Sequence, residues 1–153
     1  MFWKKKTKVY FLLEEPILND VLGVWTKHLG EFTHIVGYTA TGSLFMYSPT
    51  SNQYGVFYPL KLNSNFKNYG IFSSLGEFEA TILKEPLFQD HGLFPIDHSS
   101  LSELEKRIGK LGKFEIYYPK LDPAIGGSLE LKQFTKGNVW VRSDILGQNR
   151  GIA

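Results

Sequence analysis

The chain has 153 residues, with 17 Lys and Arg against 15 Asp and Glu, a formal net charge of +2 and no cysteine. So even a balance gives no field of the kind that gathers nucleic acid, and without cysteine there is no disulfide framework, thiolate zinc site or cysteine nucleophile. The length fits a single domain over 1–153 that buries roughly two-thirds of its unfolded surface.

Lys4-Lys5-Lys6 with Lys8 is the only basic run, and Val9 to Leu13 gives five apolar or aromatic residues before Glu14-Glu15 intervene. That is too short for a secretory apolar segment, and no other run approaches the ~20 residues of a membrane span. We expect a cytoplasmic protein with no membrane contact, and read the lysines as a solvated end. We assign no element before Asn19. From Asn19 to Leu29, NDVLGVWTKHL places Val21, Leu22, Val24, Trp25 and Leu29 at helical spacing, which predicts a short N-terminal helix capped by Asn19 or Asp20 and stopped by Gly30. THIVGY, GSLFMYSP and YGVFYPL then alternate with TATG and SPTSNQ, predicting a three-strand antiparallel meander with turn residues at each break. KLNSNFKNYG, 61–70, is polar and Asn-rich and reads as a surface loop.

Ser74 and Glu77 stand at capping-box spacing ahead of Leu75, Phe78, Ile82 and Leu83, so a helix is expected over about 75–85, with Pro86 ending or bending it and Leu87 to Leu93 as a possible further turn. SSLSELEKRIGKLG predicts a second capped helix ending at Gly109 or Gly112. FEIYYP and NVWVRSDIL read as strands flanking Gly126-Gly127. The sum is an α+β fold with a predominantly antiparallel sheet, a short N-terminal helix and two or three central helices.

AIGGSLEL lacks the lysine of a phosphate-cradling loop and the helix that would follow it, and it is not a dinucleotide fingerprint either, so Gly126-Gly127 reads as a turn or bulge. His91 and His98, with Asp90 and Asp97 beside them, make the least implausible metal or general-base cluster, against which stands their suitability for turns and caps. No motif links a serine to a base and an orienting acid. We therefore expect neither an enzyme nor a cofactor or metal ligand. The 12 Phe and 8 Tyr exceed what a small core needs, which leaves room for an aromatic partner-binding face.

GEFEATILKEP, the helix running into GKLGKFEIYYPKLDPAIGGS, and KGNVWVRSDILGQ together resemble the C-terminal domain of immunity proteins against type VI secretion DNase effectors, the Tdi-like immunity proteins. The likeness covers 70–148. Upstream, over 31–69, GYTATGSLFMYSPTSNQYGVFYPL is similar to the GAD-like strand meander that precedes that domain, with Ser48-Pro49 and Tyr54 at matching positions; only about 30 residues precede Glu31, where longer relatives carry a fuller region. The resemblance implies a non-catalytic protein that binds and neutralises a cognate toxin, and it implies a structural role for Gly126-Gly127. Candidate contacts lie in the polar-aromatic part of the meander: Tyr47, Asn52, Tyr54, Tyr58, Asn68 and Tyr69. The alternative is a small hydrolase or ligand-binding domain that uses the His91 to His98 loop.

Overall fold

Short aromatic and β-branched runs broken by turn residues can hydrogen-bond only to one another, and they do so here in sequence order. The computed structural model describes residues 7–152. Strands β1 (Tyr10–Leu18), β2 (His34–Thr39), β3 (Leu44–Ser48), β4 (Gln53–Phe57) and β5 (Phe66–Ile71) form an antiparallel meander in the order β1-β2-β3-β4-β5. A second, two-stranded antiparallel sheet pairs β6 (Glu115–Pro119) with β7 (Phe134–Asn138). The fold is α+β. The positive φ values at Gly42 (94°) and Asn52 (55°) place residues suited to the left-handed region in the two tight turns flanking β3.

Both faces of the meander are covered. On one face Ile35, Leu44, Met46 and Phe57 pack with Leu22, Trp25 and Leu29 of the segment Asn19–Leu29 and with Val139. On the other, Phe45, Tyr54 and Val56 pack against Phe78, Leu83 and Phe88, carried by α1 (Leu75–Phe78), the π-helical turn Glu79–Leu83 that continues it, and α2 (Pro86–His91). A third cluster joins Ala40 and Leu93 to Leu101 and Leu104 of α3 (His98–Ile108) and to Tyr117 and Phe134 of the small sheet. The β2–β3 turn ties these layers together. Thr41 Oγ1 donates to the Leu93 carbonyl at 3.0 Å and Ser43 Oγ to Gly92 at 2.9 Å, while the Tyr117 amide donates to Ala40 at 2.8 Å.

The caps follow the sequence. Ser74 Oγ accepts from the Glu77 amide at 3.1 Å, Asp97 accepts from the Ser100 amide at 2.9 Å, and α3 stops at Gly109, φ 102°. Pro86 sits in the first turn of α2, where its missing N–H costs nothing, so it opens a new helix and does not merely end the previous one.

Four expectations need correction. Asn19–Leu29 is helical and stops at Gly30, but it is 3-10 in type and kinked at Gly23 (φ 60°); Asn19 does not cap it and instead donates to the Phe32 carbonyl at 3.0 Å. The kink brings the Val24 amide to 3.0 Å from Asp144 Oδ1. The stretch 61–70 is not all loop: its second half is edge strand β5, and such strands are often polar. NVWVRSDIL is not a strand but the start of α4 (Val139–Asn149), capped by Asn138, whose Oδ1 accepts from the Trp140 and Val141 amides. Strand β1 was not anticipated: its pairing with β2 slips between Leu12 and Ile17, around the Glu14-Glu15-Pro16 interruption that conceals it. The Lys4-Lys5-Lys6 run lies outside the described residues. Among the described residues no helix is long and apolar enough to cross a membrane.

Candidate functional site

The Gly126-Gly127 stretch holds no anion site. The amides of Ile125, Gly126 and Gly127 all donate to carbonyls of Asp122 or Pro123, so none is free to meet a phosphate. Gly126 takes the left-handed conformation (φ 99°), and a Cβ on Gly127 would overlap the Leu121 carbonyl oxygen. The turn serves Asp122. That carboxylate is 1% exposed, and it accepts from the Ala124 amide (3.0 Å), Asn149 (3.2 Å) and both terminal nitrogens of Arg150, whose guanidinium also reaches the Leu60 carbonyl at 2.8 Å. Burial alone would raise the Asp122 pKa, but the bonds from Arg150, Ala124 and Asn149 outweigh it and hold the carboxyl below its ordinary value. The pair locks the end of α4 to the β6–β7 connection and to the chain after β4.

His91 and His98 do not meet. Asp97 is committed to its cap and to the Ser99 and Ser100 hydroxyls, which hold its pKa down; His98 Nε2 lies 3.5 Å from the Thr7 carbonyl; His91 faces a different groove. Among the described residues no three His, Asp or Glu side chains converge as a metal site.

The candidate contact residues divide. Tyr54 is core: 6% exposed, stacked on Phe78 at 5.0 Å and close to Tyr47. Tyr58 is equally buried, also 6% exposed. Tyr47 is half-buried and donates to Asn52 Oδ1 at 2.9 Å, while the exposed Asn68 donates to Gln53 at 2.6 Å; together they shape the polar end of the meander beside the β3–β4 turn. Tyr58 and the half-buried Tyr69 both belong to the aromatic cluster on the α1–α2 side of the meander. Burial raises both phenol pKa values, so both stay neutral.

These two tyrosines line the wall of a groove of about 750 Å³ between the outer edge of β5 and the α1–α2 layer. Its floor is apolar, from Ile82, Phe88 and Phe94, while Phe66 borders it with its ring packed on Phe32 at 4.7 Å, and Leu87 stands 69% exposed on its rim. Two lysines overhang it. Lys61 Nζ lies 4.3 Å from the centre of the Tyr58 ring and 5.2 Å from that of Phe94; Lys67 Nζ lies 4.8 Å from that of Tyr69. Among the described residues neither lysine joins an ion pair; the pairs found are Lys132–Glu130, Lys136–Glu115 and Arg150–Asp122. Both lysines belong to the stretch read as loop, and their spacing around an aromatic edge strand is the signal that reading lacked.

No family model matches the chain, and no curated protein matches it. Among solved structures it is similar to Atu4351 from Agrobacterium tumefaciens, with 18% identity and a TM-score of 0.59 over 92% of this chain and 67% of that one. At that identity the likeness is one of fold.

Proposed function

We propose that this chain is a non-catalytic immunity protein that binds a cognate type VI secretion toxin, expected to be a nuclease, and neutralises it in the cytoplasm. The motifs at 70–148 and the meander at 31–69 suggest the class. The single observation that supports a binding role is the β5 groove, an aromatic and apolar surface with two cations that, among the described residues, join no ion pair, beside a strand edge with no partner among those residues. Such a surface suits a protein interface, where tyrosines and exposed apolar residues supply contact area and rim charges supply selectivity. The complex must outlast a lethal enzyme present at low copy number, so we expect nanomolar affinity or better, and an interface of about 1,600 Å² in total.

A second reading, a small-molecule site, is favoured by the volume of the groove, which falls in the range of ligand pockets, and by His91 on its wall. The two readings part at the neighbouring gene. Expression of an adjacent toxin gene with and without this protein tests the first: growth rescue together with co-purification supports it, and neither rescue nor complex sinks it for that partner.

A further inference from the structure

We infer that the β5 groove takes an extended acidic segment of a partner protein, laid along the free edge of β5 with a carboxylate held by Lys61 and Lys67. This rests on the reading of the chain as a toxin-binding protein only for the identity of the partner. The site itself follows from geometry.

Among the described residues β5 pairs with β4 on one side alone, which leaves its other edge for an added strand beside the groove that Lys67 and Tyr69 line; the Gly70 amide is the exception, donating to Asn68 Oδ1 at 2.8 Å. A six-residue strand is about 20 Å long, and an extended chain is the ligand whose own amides and carbonyls can match such an edge. Alternate side chains of an added strand point to opposite faces, so one set meets the apolar residues Ile82 and Phe88 while its ends reach the lysines.

The charge selects the occupant. Lys61 and Lys67 are parked on aromatic faces with no carboxylate bonded to them, and the only acidic side chain on the groove wall is Glu85. An ammonium on a ring face is held weakly at an exposed site, so moving to a carboxylate sacrifices little and gains a charge-assisted hydrogen bond. A second copy of this chain is disfavoured, because pairing two β5 strands edge to edge would bring the Lys67 of each copy onto the same short seam. A nucleic acid would meet the same cations, but the net charge of +2 and the apolar floor favour a protein.

The test uses two eight-residue synthetic peptides, one alternating Glu with Phe or Leu and one with every Glu replaced by Gln. In amide-resolved NMR titrations the acidic peptide should shift the resonances of Lys67, Tyr69 and Leu87. It should bind at least tenfold more tightly than the Gln peptide, and it should lose that advantage in the Lys61→Glu/Lys67→Glu variant, whose melting temperature should stay within a few degrees of wild type. Equal binding of the two peptides, shifts centred elsewhere, or displacement of the acidic peptide by a single-stranded oligonucleotide would overturn the inference. Repeating the variant against the adjacent-gene toxin separates the two claims. If the acidic peptide binds as stated while wild type ignores the toxin, the immunity reading fails and the groove stands. If wild type binds the toxin while the variant binds it equally well and the peptides do not bind, the groove assignment fails and the immunity reading stands.

Discussion

Replacing Gly127 with alanine should damage the fold more than replacing Gly126, although Gly126 is the residue with the unusual backbone. At Gly126 the φ of 99° disfavours any side chain, but no atom lies within 4 Å of a new Cβ, so Gly126→Ala costs about 1–2 kcal/mol of conformational strain. At Gly127 the new Cβ overlaps the Leu121 carbonyl oxygen and lies 2.8 Å from the Asp122 carbonyl carbon, both of them backbone atoms that cannot rotate away. The Leu121–Asp122 segment must move by about 1 Å, an overpacking cost on the order of 1–3 kcal/mol. That movement also drags on Asp122, whose carboxylate accepts from Arg150 and Asn149. Together we expect on the order of 3 kcal/mol, or about 6–12 °C in melting temperature for a chain of this size. Thermal unfolding followed by circular dichroism measures it. A Gly127→Ala protein that melts within 1–2 °C of wild type, or a Gly126→Ala protein that melts lower than Gly127→Ala, would refute the close-approach argument.

Removing the partner of Arg150 leaves a buried guanidinium uncompensated, so Asp122→Ala should cost about 3–5 kcal/mol in urea unfolding, far more than Glu130→Ala at an exposed ion pair, which should change stability by less than about 1 kcal/mol. Because the folded pKa of Asp122 is depressed, its contribution is present above its ordinary value of 3.8 and is lost as the pH falls through the folded value. The stability gap between wild type and Asp122→Asn should therefore close on acidification below about pH 4, and a gap that widens there would reverse the assignment. Phe78, fully buried against Phe45, Tyr54 and Phe72, should cost about 3–5 kcal/mol when cut to alanine. His91→Ala and His98→Ala, singly or together, should leave protection against the toxin nearly intact in a growth assay. Loss of protection in a folded variant would bring back a catalytic or ligand-binding role for that loop.

The parts of the fold that could be read from the sequence are those where local chemistry and tertiary placement agree. The meander strands carry apolar residues on both faces because both faces are covered, and the cap at Ser74 is a local hydrogen bond that needs no tertiary partner. The misread parts are those where polarity hides the pattern. In NVWVRSDIL the alternation of Val139, Trp140 and Val141 suggests period two, yet the buried positions 139, 142, 143, 146 and 147 have helical spacing. They are obscured because two of them are Arg142 and Ser143, polar residues that donate to the Pro119 and Val139 carbonyls. β5 looks like loop because Lys67 and Asn68 face solvent, and β1 because Glu14-Glu15-Pro16 interrupts it where its ladder slips. The candidate site was legible by residue type and not by position. Tyr54 and Tyr69 have the same chemistry in sequence and both pack on Phe78; the structure separates them by burying Tyr54 to 6% exposed and setting Lys67 over the half-buried Tyr69.

The central claim is that this protein works by binding a toxin and not by catalysis. It is tested most directly by isothermal titration of the purified protein with a catalytically inactivated form of the neighbouring gene's product. The account predicts a saturable complex with a dissociation constant in the nanomolar range or below, weakened at least tenfold by Lys61→Glu/Lys67→Glu in a protein that still folds. No detectable heat and no co-elution at micromolar concentrations, with the toxin still lethal in cells that express this protein, would contradict it.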